Sequence, residues 1–260
     1  MKTHFKIQTI FYCLIILCFC CSHTSKAQII RNHSTEELVL ITIEKPLFTH
    51  VYFVQNKPHF QETIVPSYKV SASYKESIYY QNLLNIDRTN DVRQNIVNIA
   101  KSQIGYCEGN NWSQLSGEPG GKKNYTEYGN WYGMQDEWCA MFVSWCANLA
   151  GETNVPKHAL CRAGLKEFMA AGTAHSRQEI IDGKYIPLPG DIIYFCTSSA
   201  AANGKLTTHV GIVTGYKDGR IYTIEGNTTP NDKSISCGGI VEEKSYKITN
   251  TYVAYICELI

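Results

Sequence analysis

Apolar residues run with almost no break from Trp138 to Ala150, through Cys139-Ala140-Met141-Phe142-Val143-Ser144-Trp145-Cys146-Ala147-Asn148-Leu149. They go nearly all the way round a helical wheel, which predicts a helix buried on most sides and not an amphipathic surface helix. Asp136 stands where it would cap the first turn, and Gly151 where a left-handed residue would stop the helix. Cys139 then falls in the first turn. There the unpaired backbone N–H groups and the positive end of the helix dipole favour thiolate over thiol, so this cysteine has the makings of a nucleophile. The position fits a buried structural cysteine equally well.

The pattern elsewhere changes along the chain. From Gln28 to about Asn90 short alternating bursts, such as Leu38 to Ile43 and Val51 to Val54, lie between Pro46, Pro58 and Pro66 and predict a small β-rich region or arm. Thr89-Asn90-Asp91 then caps a helix with apolar Val92, Ile96, Ile99, Ala100 and Ile104 at helical spacing, ended by Gly105. The domain boundary is placed just before it, giving 28–90 and 91–260. A long Gly/Asn/Tyr/Trp stretch from Tyr106 to Gln135 reads as a loop, functional or disordered. Trp131 and Tyr132 in it, with Trp138 just beyond, suggest a wall for substrate; packing onto the buried helix is the alternative. A short helix is expected from Gly164 to Ala171. After Pro187-Leu188-Pro189-Gly190 come strands at Asp191 to Phe195, His209 to Thr214, Ile221 to Glu225, Gly239 to Glu242 and Tyr252 to Cys257. Helices first and an antiparallel sheet afterwards is an α+β order.

Composition narrows the function. The 260 residues carry a formal charge of +1 without long charge runs, which argues against nucleic-acid binding. Lys2 and Lys6 precede an apolar run ending at Cys21, and Ser25-Lys26-Ala27 offers small residues at both positions read by a signal peptidase. Residues 1–27 are expected to be a signal peptide cleaved before Gln28; the run is short for a membrane span, so no stable anchor is expected. Leu17, Phe19 and Cys20 precede Cys18, Cys20 and Cys21, which makes lipidation unfavourable. The mature chain keeps Cys107, Cys139, Cys146, Cys161, Cys196, Cys237 and Cys257, an odd set that leaves at least one thiol unpaired in an exported protein. Cys146 lies two turns beyond Cys139, about 10 Å along the axis, too far for a disulfide between them. His33, His50 and His59 are too scattered to suggest a metal site.

Cysteine hydrolysis needs a histidine beside the thiolate and an acceptor to hold the imidazole. His209 opens one strand, and the next offers Glu225 and Asn227. A three-residue turn with Gly219 left-handed would set His209 opposite Asn227 and Gly211 opposite Glu225, all on one side of the sheet. A two-residue Asp218-Gly219 turn would throw Glu225 and Asn227 to the other side. The catalytic reading therefore predicts the longer turn.

Four ordered blocks now carry a resemblance: Glu137 to Trp145, Pro189 to Phe195, Thr208-His209-Val210-Gly211-Ile212-Val213, and Ile221 to Thr228. They look like the signature blocks of the CHAP domain, the cysteine, histidine-dependent amidohydrolases and peptidases related to NlpC-type cell-wall hydrolases. The resemblance covers about Asp91 to Ile260. It implies a papain-like fold with amino-terminal helices packed on an antiparallel sheet, and hydrolysis of peptidoglycan at the muramoyl–L-alanine bond or within stem or bridge peptides. It also implies Cys139 as nucleophile, His209 as general base and acid, and Glu225 and Asn227 as orienting groups. Some members carry calcium on clustered aspartates just before the nucleophile; here only Asp136 and Glu137 are near, so no metal and no cofactor are expected. The expectation is a monomeric bacterial enzyme, periplasmic or extracellular, acting on peptidoglycan or wall peptides. Two other readings stand beside it: a non-catalytic wall-peptide binding module, and a cysteine peptidase or amidase acting on a non-wall amide.

Overall fold

The computed structural model describes residues 27–30, 38–45, 48–55 and 63–259. The chain divides into two compact units, Met1–Phe60 and Gln61–Ile260. The first holds a three-stranded antiparallel sheet, β1 (Ala27–Ile30), β2 (Leu38–Lys45) and β3 (Phe48–Gln55), in that order. Both alternating bursts read from the sequence lie in these strands. The expected signal peptide, Ala27 apart, lies outside the described residues.

The second unit begins about thirty residues before the boundary placed at Asp91. Residues expected to belong with the β-rich arm instead form two short helices, α1 (Ala72–Lys75) and α2 (Ile78–Leu84), capped by the side chains of Ser71 and Ser77. Tyr74 and Leu83 are fully buried in the same core as the later helices, and the Tyr68 hydroxyl accepts a hydrogen bond from Trp145 Nε1 at 3.0 Å. The buried Glu127 carboxylate fastens this segment through Ser71 N (3.2 Å) and Ser71 Oγ (2.5 Å). Polar groups this deep persist only when so paired.

Helix α3 (Val92–Ser102) starts as the sequence implies: the Asp91 carboxylate accepts from Arg93 N and Gln94 N, and Ile96, Val97, Ile99 and Ala100 form its buried face. The stretch expected to be one long loop contains α4 (Glu127–Tyr132), capped by Thr126, and puts Tyr106 and Tyr128 into the core. Helix α5 (Cys139–Ala150) is buried at every residue but Asn148, as its apolar pattern demands. It packs on α3 and α4 and on two sheet strands described next. Helix α6 (Cys161–Ala171) begins one turn earlier than expected.

Among the described residues the main sheet has six antiparallel strands. Those are β4 (Ala174–Ser176), β5 (Ile192–Phe195), β6 (His209–Lys217), β7 (Arg220–Thr228), β8 (Ile240–Lys247) and β9 (Val253–Cys257), in the order β4-β9-β5-β6-β7-β8. Short helices α7 (Arg177–Ile181) and α8 (Ser198–Ala202) join them. One sheet face, with Tyr194, Val210, Ile212 and Ile224, packs in the main helical core; Phe195, Val213, Ile221 and Ile256 form a second cluster. The strands β5 and early β6 are thus apolar on both faces, which explains their unbroken runs. A partly buried ion pair ties helices to sheet: Arg93 Nη1 meets the buried Asp191 Oδ1 at 2.6 Å, and Tyr185 Oη donates to Asp191 Oδ2 at 2.7 Å.

The β6–β7 hairpin corrects one expectation and restores its consequence. The turn is the two-residue one: Lys217 pairs with Arg220, and Asp218 and Gly219 both have positive φ, 51° and 70°. That is the conformation of a type I′ hairpin turn. Yet Ile212 pairs with Ile224 and Val213 with Thr223, because the register shifts by one between Val213 and Gly215. The extra residue, Thr214, is a β-bulge that cancels the parity of the short turn before the strands reach His209.

Candidate active site

Cys139 is the first residue of α5 and only 6 % exposed. Asp136 does not cap this helix; its carboxylate accepts from the neighbouring Glu137 N at 2.8 Å, and the N-cap position belongs to Trp138, which makes no side-chain cap bond. An indole has no oxygen with which to accept from the first-turn N–H groups, so those donors stay uncapped at the sulfur's end of the helix. The imidazole of His209 is near enough to favour negative charge on Cys139.

His209 is the first residue of β6, beside the ring of Phe195 at 5.7 Å between centroids. Its Nε2 lies 3.0 Å from Glu225 Oε2. Glu225, 1 % exposed, is fixed in turn by Thr223 Oγ1 donating to Oε1 at 2.6 Å and Tyr246 Oη donating to Oε2 at 3.3 Å. A side chain at Gly211 would come within 2.7 Å of Glu225 Cγ, so glycine leaves the carboxylate its space. Burial alone would disfavour the imidazolium. Hydrogen bonds and charge from Cys139 and Glu225 outweigh it and raise His209 to about 10.

A second sulfur completes the arrangement. Cys161, the first residue of α6, lies with its Sγ 3.4 Å from Cys139 Sγ. The Cys139 thiol is pushed up by donating to Cys161 and by burial, while His209 pulls it down; Cys161 is held below its ordinary value by accepting that bond. Either sulfur can be the donor across that contact.

The other expected site residues divide. Asn227 has φ 54°, and its amide donates to Glu137 Oε2, so the side chain is turned to Glu137 and not to His209. The pairing of β7 with β8 is irregular between Glu225 and Thr228, which breaks the alternation that would have aligned Asn227 with Glu225. Trp138 is fully buried, stacked on Tyr128 at 5.4 Å, with Nε1 donating to Glu108 Oε2 at 3.0 Å; it is core and offers substrate no face. Trp131 and Tyr132 are half-buried, with Lys157 Nζ 4.4 Å and 5.3 Å from their ring centroids. Thr223, Tyr246 and Cys161 were not singled out for this site from sequence. A cleft of about 460 Å³ opens beside His209, lined by Glu137, Asn227, Lys244, Tyr246 and Tyr252 among others. Among the described residues no group of His, Cys, Asp and Glu is placed to hold a metal ion.

This geometry can carry a thiolate–imidazolium pair steadied by a carboxylate, the apparatus of acyl transfer to sulfur. No curated protein and no solved structure matches the chain significantly. Residues 127–227 match the family model of the CHAP domain, a span that begins at α4 and contains Cys139, His209, Glu225 and Asn227. Over those residues the chain is similar to the CHAP domain, a likeness consistent with a cysteine- and histidine-dependent amidohydrolase or peptidase.

Proposed function

We propose that this protein is an exported peptidoglycan hydrolase that cleaves amide bonds of the bacterial wall through Cys139. The observation carrying the chemistry is the line Cys139–His209–Glu225, with His209 Nε2 3.0 Å from a carboxylate that is itself held by Thr223 and Tyr246. Peptidoglycan as substrate rests on the CHAP match and on the export signal read at residues 1–27.

The reaction requires Cys161 to be the donor in the sulfur–sulfur contact, so that Cys139 is the thiolate that attacks the amide carbonyl. The uncapped N–H groups at the start of α5 stand ready for the oxyanion, and charge developing there is favoured by the helix dipole. His209 gives its proton to the leaving amine, then activates the water that hydrolyses the thioester. Glu225 keeps the ring oriented and its positive charge stabilised throughout. The cleft beside His209 is the place for part of the substrate, with Glu137 and Lys244 at its wall.

The test is incubation of the purified protein and its Cys139→Ala variant with purified peptidoglycan, followed by mass analysis of soluble fragments. Intact stem peptides freed by the wild type alone would mark an amidase, and shortened or uncrosslinked stems an endopeptidase. Equal release by Cys139→Ala would reject the nucleophile, and no release by wild type would reject the wall as substrate.

A further inference from the structure

Cys139 and Cys161 lie 22 positions apart in sequence, yet their sulfurs are 3.4 Å apart. A disulfide needs about 2.05 Å, so a side-chain rotation closing roughly 1.4 Å would join them. Both residues open long helices, of 12 and 11 residues, and both helices lack a side-chain cap, Trp138 and Leu160 occupying the N-cap positions. Two positive helix ends therefore converge on one pair of sulfurs, with His209 alongside. The pair is buried, at 6 % and 8 % exposed, so a hydroperoxide, the smallest oxidants first, has to enter beside His209 to reach it. Cys146, by contrast, is fully buried within α5, and burial pushes its thiol up.

We propose that Cys161 is a resolving thiol for Cys139, so that a hydroperoxide closes a Cys139–Cys161 disulfide in the active site and a dithiol reopens it. The bond itself stands on the geometry; its expected effect on hydrolysis rests on Cys139 being the nucleophile. The Cys139 thiolate attacks one oxygen of the O–O bond, and the other oxygen leaves as hydroxide or alkoxide and is protonated. The sulfenic acid so formed is attacked at sulfur by the Cys161 thiolate, the S–O bond breaks, and hydroxide leaves and is protonated. Two thiols are oxidised by two electrons and the peroxide is reduced, to two waters in the case of hydrogen peroxide. A thiolate already in contact intercepts the sulfenic acid before a second peroxide carries it to the irreversible sulfinic acid.

The experiment treats the reduced full-length protein with hydrogen peroxide, alkylates the remaining thiols, and maps peptides by mass. A Cys139–Cys161 linked peptide, with hydrolysis of peptidoglycan lost in step and restored by dithiothreitol, is the expected result. In Cys161→Ser the same treatment should leave Cys139 as sulfinic acid, with at least tenfold less activity restored than in wild type. Absence of the linked peptide in wild type, linkage only between the neighbouring thiols of Cys107 and Cys237, or full recovery of oxidised Cys161→Ser would overturn the proposal. Wild-type mapping needs no variant to fold. Activity of reduced Cys139→Ala protein decides separately whether Cys139 is the nucleophile, and a linked peptide would still establish the redox pair if it is not.

Discussion

Helix starts in this molecule fall into two groups. Ser71, Ser77, Asp91, Thr126, Ser176 and Thr197 each turn a side-chain oxygen onto the first-turn N–H groups of α1, α2, α3, α4, α7 and α8. Among the described helices only α5 and α6 lack such a cap, and both begin with a cysteine. A missing cap costs about 1 kcal/mol of stability. At these two places it leaves positive helix ends bare around sulfur. Stability is thus provided where the helices only hold the fold, and withheld where orphan donors can serve negative charge on a thiolate or an oxyanion.

The largest expected effect is on chemistry. Cys139→Ala should lower hydrolysis by about 10³-fold or more, with an unchanged circular dichroism spectrum. Replacing Glu225 by Gln should lower kcat by about 10–10² and move the alkaline limb of the pH–rate profile below its wild-type position, since His209, at about 10, would lose the charge that favours its proton. The same proton links to stability. Because the folded value lies above the ordinary 6.5, the stabilisation is complete below that pH and fades as pH rises through about 10. Denaturant midpoints of wild type and Glu225→Gln measured from pH 6 to 10 should therefore converge at the alkaline end.

Smaller effects separate the two groups of helices. Asp91→Ala removes a cap formed by two hydrogen bonds and should cost about 1 kcal/mol in a denaturant titration, leaving kcat unchanged. Leu160→Ser does the reverse: Leu160 is 60 % exposed and already extended at φ −108°, ψ 112°. A serine there should cap α6, raise stability by a few tenths of a kcal/mol and slow alkylation of Cys161.

Much of this was legible in the chain because local pattern and tertiary role agree. The all-round apolar run of α5 could only be buried, and Asp91 opens α3 as its spacing implies. What was not legible depended on partners distant in sequence or on one-residue irregularities. Trp138 reads as a site aromatic until Glu108, thirty positions upstream, takes its indole N–H. His209 and Glu225 share one side because a bulge at Thr214, and not a longer turn, restores the register. Gly215 next to it was the signal, glycine within a strand pattern being a mark of bulges. Asn227 departs from the simple alternation where β7 and β8 slip, and its amide meets Glu137. Cys161 was hidden because α6 was expected to start three residues later, which removed it from a helix end.

The central claim is that the bare start of α5 and His209 activate Cys139 as the nucleophile against the burial and the Cys161 contact that push its thiol up. The direct measurement is the rate of alkylation by iodoacetamide between pH 5 and 9, mapped to individual cysteines, in reduced wild type and His209→Ala. The expected result is labelling of Cys139 at pH 6 about tenfold or more faster in wild type than in the variant. Labelling of Cys139 that rises only through the range of a free thiol, near 8.5, and equally in both proteins, would contradict it.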